Sequence, residues 1–333
     1  MNKLLYLLLI ISCWSCSRDS ETEKYQSKRD HVINVRDKMK EFSTQDVLIG
    51  RISRVYLLSD YLIITEYNVP DKLIHLFDKN NFNHLASTTY QGQGPGEITI
   101  IGHVGTDEAH RRFFVSDHGK LKIFSYDLDS VLANPDYQPE VKMNMKERQF
   151  PDRYLYLNDT LCIARIIEPI GNSDYRPSVA RWNMTTGEIV PMKYEYPDLK
   201  RVRFIYAASA EHKRYVQCYS QYDLMTICDF DGNLICNIHG PKWNAEITQT
   251  QHYALSATFC KDKIVALYSG SDHRTDAYYP TKFLVFDLNG NYLKTLETGY
   301  MITDFCYDKE NNRLIINLND EIQFAYLDLT DII

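Results

Sequence analysis

Six short apolar segments recur along the 333-residue chain at intervals of about 50 residues, and this spacing constrains the fold more than any other feature. The segments begin at Tyr61, Arg112, Thr160, Arg214, Lys263 and Arg313. Each is followed by a second apolar segment that usually ends in an aromatic residue and Asp or Asn, as in residues 73–78. A fixed period of this length, filled with paired strands, is typical of a repeat architecture.

The turns and the ends of the chain extend this prediction. Asp231-Gly232-Asn233 and Asn289-Gly290-Asn291 each join two apolar segments and predict tight hairpin turns. With four strands in each repeat, the sixth repeat is one strand short at its end, which would leave unpaired backbone groups. The strand-like segment 31–35 precedes the first repeat and can supply the missing strand.

The sequence therefore predicts an all-β fold: a single six-bladed β-propeller over residues 31–333, with four-stranded blades. Segment 31–35 is expected to be the outer strand of the last blade and to close the ring. A linear solenoid is the alternative, but it would explain neither the missing strand nor the spare one.

The first 16 residues are typical of a segment that is processed during export. Lys3 precedes an apolar stretch at residues 4–11, which is too short to span a bilayer as a stable helix. The cysteines that follow resemble a bacterial lipoprotein signal, with Cys16 as the predicted lipid attachment site and Cys13 as the alternative. An ordinary secretory signal is the remaining alternative. Residues 17–30 are polar and predict a flexible tether.

Charge and cysteine content argue against nucleic-acid binding, a disulfide framework and a metal site. The net charge is -7 and no block of basic residues is present, so the sequence argues against a nucleic-acid partner. Export permits disulfides, but the six later cysteines lie in or beside apolar strand segments and predict buried thiols. They are Cys162, Cys218, Cys228, Cys236, Cys260 and Cys306. Their spacing lacks a zinc knuckle, and we expect no metal and no cofactor.

Two segments carry a resemblance to a known family. One is Gly92-Gln93-Gly94-Pro95-Gly96-Glu97 after the first repeat, and the other runs from Tyr222 to Trp243. They resemble the TolB-like six-bladed β-propeller lipoproteins of Bacteroidota. This resemblance implies a propeller in the cell envelope, lipid-anchored to the outer membrane. The acidic residues Asp19, Glu21 and Glu23 resemble the family's signal for export to the cell surface. No activity is implied.

Long loops are the expected location of a binding site, because a rigid scaffold usually carries its binding residues on them. Counting strands places most of the long loops on one face of the propeller. These loops are residues 67–72, 91–97, 168–177, 197–203, 240–250 and 269–281. We expect this face to be the binding face.

Aromatic, arginine and carboxylate side chains on these loops suit a glycan, a peptide or an anionic ligand. The predicted ligand-binding residues are Asp272, His273, Arg274, Tyr278, Tyr279, Tyr175, Arg176, Arg201, Arg203 and Trp243. Each of them is also compatible with an ordinary solvated loop side chain.

The sequence thus predicts an envelope-anchored, non-catalytic binding module for a glycan, a peptide or a partner protein, held on the membrane through its lipid. A metal-dependent hydrolase or lyase at the mouth of the channel is one alternative, and His103, Asp107 and Asp304 could point there. A scaffold subunit of an envelope complex is another. Neither a Gly-x-Ser-x-Gly elbow nor a His-Glu-x-x-His motif occurs, and no catalytic residue is assigned.

Overall fold

The computed structural model describes residues 20–44, 47–134, 136–171, 174–275 and 278–333. All strands of the described residues belong to six small sheets around a common axis. The predicted all-β six-bladed propeller is therefore confirmed. The signal segment, Cys13 and Cys16 lie outside the described residues. No helix of the described ranges is long and apolar enough to cross a membrane.

Three short strands come first: β1 (Glu23–Tyr25), β2 (Val32–Asn34) and β3 (Met39–Glu41), with a 3₁₀ turn at Arg36–Lys38. The first blade consists of β4 (Ser53–Leu58), β5 (Tyr61–Glu66), β6 (Lys72–Asp78) and β7 (His84–Tyr90). The second consists of β8 (Ile101–Asp107), β9 (Arg112–Asp117), β10 (Lys122–Asp127) and β11 (Glu140–Asn144), with the short helix α1 (Leu128–Ala133) before β11. The third consists of β12 (Phe150–Asn158), β13 (Leu161–Pro169), β14 (Tyr175–Trp182) and β15 (Ile189–Pro191).

The fourth blade consists of β16 (Phe204–Ser209), β17 (Arg214–Tyr219), β18 (Leu224–Asp229) and β19 (Leu234–His239). The fifth consists of β20 (Thr250–Cys260), β21 (Lys263–Asp272), β22 (Lys282–Asp287) and β23 (Tyr292–Glu297). The sixth takes β24 (Ile302–Asp308), β25 (Arg313–Leu318) and β26 (Phe324–Asp328) from the end of the chain and β3 from its beginning.

The core lies between neighbouring blades. All six residues of β25 are buried, as expected for a strand that is covered on both faces. One apolar cluster joins the first and sixth blades and contains Val55, Leu62, Phe77 and Ile315. Because each blade buries both faces against its neighbours, the ring as a whole is required to complete the core.

The predicted hairpin turns are confirmed. Gly232 and Gly290 have φ angles of 77° and 80°, a conformation that residues with a Cβ rarely adopt. In each turn the side chain of the preceding Asp, Asp229 or Asp287, accepts hydrogen bonds from two backbone amides of the loop. The Asp that ends the apolar segment therefore fixes the turn that follows it.

The sequence predicted that segment 31–35 closes the ring, and this prediction is wrong. The outer strand of the sixth blade is β3, which runs antiparallel to β26 with Met39 opposite Leu327. Phe42, directly after β3, stacks on Phe82 of the first blade at 3.7 Å between ring centroids, and this contact anchors β3 at the junction. Residues 32–34 instead form β2, a fifth strand parallel to β23.

Part of the predicted tether is also an ordered strand. Within residues 17–30, β1 pairs in parallel with β19 as a fifth strand of the fourth blade. The Glu23 carboxylate accepts hydrogen bonds of 2.7 Å from the side chains of both Asn237 and His239. Tyr25 stacks on the His239 ring at 4.2 Å. Specific polar contacts thus order a segment whose low apolar content predicted flexibility. We call residues 20–44 the N-terminal strap, because they follow the rim of blades four to six.

The six cysteines of the described residues are all free, and the prediction of buried thiols is confirmed for five of them, while Cys306 is half-buried. Burial raises the pKa of Cys236 to about 11 and that of Cys162 to about 12. These thiols pack as small apolar side chains.

Candidate functional site

The strand order assigns all six long loops to one face. Each of them joins the second strand of a blade to the third, or an outer strand to the next inner strand, and these two kinds of connection emerge on the same side. We call this side the long-loop face. The turns between first and second strands, such as residues 59–60, lie on the opposite side together with α1.

A cavity of about 600 Å³ opens on the long-loop face between the third and fourth blades. We call it the inter-blade pocket. Four of the predicted binding residues line it: Tyr175, Arg176, Arg201 and Arg203. Tyr196 and Tyr219 add aromatic surface. The structure therefore brings residues from the third-blade loop and the following inter-blade loop into one site.

Arg203 is held rigidly in the wall of this pocket. Its guanidinium donates to the Tyr175 carbonyl oxygen at 2.7 Å and to the Asp174 carboxylate. The guanidinium carbon also lies 3.8 Å from the centroid of the Tyr175 ring, a cation–π contact. The hydrogen bond from Arg203 lowers the pKa of Asp174. Arg203 thus positions Tyr175, and its own donors are largely engaged.

Arg201 differs from its neighbours because its guanidinium has no hydrogen bond or ion pair with another described residue. Its side chain is exposed, and its backbone is in the left-handed region with a φ of 47°. Arg176, by contrast, lies 3.5 Å from the Glu168 carboxylate in an exposed, weak ion pair. Arg201 therefore offers donors to a ligand in the inter-blade pocket.

Trp243 does not line the pocket, although the sequence suggested an aromatic platform there. It is half-buried in an aromatic cluster, with ring centroids 4.6 Å from His239 and 5.9 Å from Tyr196. Because Tyr196 itself lines the pocket, Trp243 supports the pocket wall from behind.

The predicted residues of the fifth-blade loop lie outside the inter-blade pocket. Arg274 donates from Nε and Nη2 to the Asp272 carboxylate at 3.0 and 2.6 Å, and this contact lowers the pKa of Asp272. His273 donates to the Gln249 carbonyl oxygen at 2.8 Å. The rings of Tyr278 and Tyr279 lie 4.3 Å apart. This loop is thus held by its own contacts and by one hydrogen bond to the loop that precedes β20.

The inner strands of all six blades surround a central channel with a cavity of about 410 Å³. A second cavity of about 370 Å³ forms its mouth on the long-loop face, where the inner strands begin. We call this second cavity the channel mouth. Neighbouring inner strands are joined across the channel wall by polar contacts. His103 donates to the Tyr154 carbonyl at 2.8 Å, and Asp304 accepts from the Val55 amide at 3.1 Å.

The three residues that the sequence suggested for a catalytic site in the channel take part in hydrogen bonds within the protein. His103 and Asp304 each bridge two inner strands, and Asp107 accepts from the His110 ring at 2.8 Å at a strand end. Burial, with the nearby Arg153, lowers the pKa of His103 to about 3. Among the described residues, no group of three or more His, Cys, Asp and Glu side chains could hold a metal ion.

Sequence reasoning missed the basic character of the channel mouth. Arg54, Arg153 and Arg165 line it, together with Asp152 and His118. The available signal was a positive charge inside an inner strand, at Arg54 in the largely apolar β4 and at Arg153 next to Asp152 in β12. Such a position is expensive for a charge unless it faces water or a ligand.

Comparisons with known proteins agree with the architecture. Residues 41–152 match the model of the DUF5128 family, described as a 6-bladed beta-propeller, over 112 of the 333 residues. Among solved structures, a member of the DUF4221 family from Bacteroides vulgatus is 12% identical and has a TM-score of 0.54 over 86% of this chain and 94% of that chain. No curated protein matches the sequence.

Two further structures are enzymes by description. A luciferin-regenerating enzyme is 8% identical, with a TM-score of 0.54 over 86% of this chain and 94% of that chain. A gluconolactonase from Xanthomonas campestris is 12% identical, with a TM-score of 0.52 over 87% of this chain and 95% of that chain. At these identities the similarity concerns the fold alone.

Proposed function

We propose that this protein is a non-catalytic binding module that takes up a glycan, a peptide or a segment of a partner protein through its long-loop face. The observation that carries the proposal is the inter-blade pocket of about 600 Å³. Its volume lies within the range of about 300–1,000 Å³ that is usual for ligand sites. It combines fixed aromatic walls with an arginine that has no protein acceptor among the described residues.

The chemistry of the pocket wall fits such ligands. Tyr175 is fixed by Arg203, and Tyr196 is fixed from behind by Trp243, so two aromatic surfaces are ordered before a ligand arrives. A preformed wall lowers the entropic cost of binding. Arg201 can donate to a carbonyl, hydroxyl or carboxylate oxygen, and the Glu195 and Asp198 carboxylates at the same pocket can accept from hydroxyl or amide groups.

We also propose that the protein is a lipoprotein of the TolB-like type, attached to the outer membrane through a lipid on Cys16, with Cys13 as the alternative. The support is the sequence pattern of the first 16 residues. Metabolic labelling with a fatty-acid analogue tests it. Cys16→Ala is expected to abolish labelling and Cys13→Ala to leave it intact. Labelling that survives both changes would contradict these attachment sites, and an unlabelled native protein would contradict lipidation.

The binding proposal is tested with a glycan and peptide array probed with the purified protein. Arg201→Ala and Tyr175→Ala are expected to weaken every signal that the unaltered protein gives. Arg274→Ala is the matched control, because Arg274 is an exposed arginine on the same face that pairs with Asp272 outside the pocket. A signal that is lost with Arg274→Ala but kept with Arg201→Ala would place the binding site elsewhere.

A further inference from the structure

Two arginines at the channel mouth have no hydrogen-bond or ion-pair partner in the part of the chain that the structure describes. Arg54 on β4 and Arg153 on β12 both line this cavity. Neither makes a hydrogen bond or an ion pair with any residue that the structure describes. Each guanidinium carries five N–H donors, which must therefore be satisfied by water or by a ligand.

Arg165, the third arginine of the channel mouth, is different. Its guanidinium donates from Nε to Asp152 at 2.8 Å, and it also donates to the Phe204 carbonyl oxygen. Arg165 and Phe204 stand between the channel mouth and the inter-blade pocket, since Arg165 lines the first and Phe204 the second. Arg165 is thus a structural group, and the two cavities are separate.

The charge of Arg153 is held in an unfavourable position. Burial and the neighbouring Arg54 and Arg165 lower the pKa of Arg153 to about 10. The surroundings of Arg153 therefore destabilise its positive charge. A folded protein retains such repulsion most readily at a functional site.

The carboxylates of the mouth and channel do not compensate for these charges by contact, because each is engaged elsewhere. Glu66 accepts from the Gly50 amide and the His75 ring. Asp152 accepts from Arg165, and Asp304 accepts from the Val55 amide. In addition, the Nδ1 atom of His118 is buried at the channel mouth and has no hydrogen-bond partner among the described residues. The polar groups of the channel mouth that have no partner among the described residues are therefore mainly the positively charged donors of the two arginines.

We propose that the channel mouth binds a small organic carboxylate, such as a uronic acid, with the carboxylate held between Arg54 and Arg153. The planar fork of a guanidinium matches the two oxygens of a carboxylate, and the charge-assisted hydrogen bonds are stronger than neutral ones. The cavity of about 370 Å³ lies within the usual size range for a small ligand. This site goes beyond the inter-blade pocket and uses none of its residues.

Thermal shift and titration calorimetry on the purified protein test the proposal with glucuronate, acetate, glucose and inorganic phosphate. Glucuronate at millimolar concentration is expected to raise Tm, and glucose, its neutral counterpart, is not. Arg54→Met and Arg153→Met are each expected to weaken glucuronate binding by at least about tenfold. Arg274→Ala is the control and leaves this binding unchanged, because Arg274 pairs with Asp272 outside both cavities.

A second readout separates a ligand-binding arginine from a structural one. Without ligand, Arg153→Met is expected to raise Tm, because it removes the repulsion between neighbouring guanidinium groups, while Arg165→Met lowers it. The proposal is overturned if neither carboxylate binds, if phosphate alone binds, or if Arg153→Met lowers Tm. Glucuronate binding that is lost with Arg201→Ala and retained in both mouth variants would also overturn it.

Discussion

The Arg29 guanidinium lies 2.9 Å from the Asp223 carboxylate in an ion pair that joins the N-terminal strap to the fourth blade. The Asp223 side chain is 0% exposed and that of Arg29 is 8% exposed. Arg29 also donates to the Tyr253 hydroxyl at 3.2 Å, and its guanidinium carbon lies 5.2 Å from the centroid of the Tyr268 ring. A polar side chain of the strap thus reaches the core between the fourth and fifth blades.

Arg29→Met is expected to lower the free energy of unfolding by about 3–5 kcal/mol, because it leaves the Asp223 charge buried without its cation. Urea unfolding followed by fluorescence measures this change. Lys28→Ala is the control, since its ion pair with Asp30 is exposed on both sides (73% and 62%) and should contribute nothing measurable. Equal midpoints for the two variants would show that the buried pair does not hold the strap.

Asn317→Ala tests the junction between the sixth and first blades. The Asn317 amide donates both to the Ser53 carbonyl and to the Ser53 hydroxyl, each at 2.9 Å, in a buried site. Its removal leaves buried acceptors unsatisfied and is expected to cost about 1–3 kcal/mol in a urea unfolding curve. Asn244→Ala, in an exposed loop, serves as the control. A loss no greater than that of the control would exclude a role for Asn317 in closure.

The free energy of unfolding should decrease as the pH is lowered from about 6.5 toward 4, a range in which most carboxylates have not yet been protonated. Burial lowers the pKa of His103 to about 3 and that of His252 to about 4, so the unfolded chain binds protons that the folded chain excludes. The free energy of unfolding then decreases with falling pH, by up to about 1.4 kcal/mol per pH unit for each such histidine.

Urea unfolding at pH 7 and pH 5 measures this dependence. His103→Gln is expected to reduce the slope, because glutamine can keep the hydrogen bond to Tyr154 without a titrating proton. A slope that is the same in the variant and the unaltered protein would show that His103 is not the origin of the acid sensitivity.

The thiols should be unreactive in the native state. Burial is the main cause of the raised pKa of every described cysteine, and Cys260 is fully enclosed between the fifth and sixth blades. A colorimetric thiol reagent at pH 8 is expected to react slowly with these six residues in buffer and at once in urea. Rapid reaction of any of them in buffer would show that its strand opens locally.

Much of the fold follows from local sequence signals. The period of the apolar segments, the Asp-x-x-Gly-Asn turns and the apolar surroundings of the cysteines can each be recognised in the sequence itself. The side on which the long loops emerge follows from counting strands. Four of the predicted binding residues share a pocket for the same reason, since Tyr175 and Arg203 lie in consecutive loops of that side.

The remaining features depend on contacts between residues distant in sequence. Strands β1, β2 and β3 have three residues each, so their own patterns cannot define a partner, and Phe42 decides which of them closes the ring. Arg54 and Arg153 come from blades one and three and line one cavity only after the ring has formed. Neither the pairing of β3 nor the cavity shared by the two arginines has a signal within a single repeat.

The N-terminal strap also determines how the molecule responds to mechanical force. Tension applied ahead of Ser20 loads the pairing of β1 with β19 first, then the Arg29 contact, then the pairing of β2 with β23. Only afterwards does it reach β3, whose departure would open the circle of blades. We therefore expect the two extra rim strands to detach first under load, while all six four-stranded sheets stay intact.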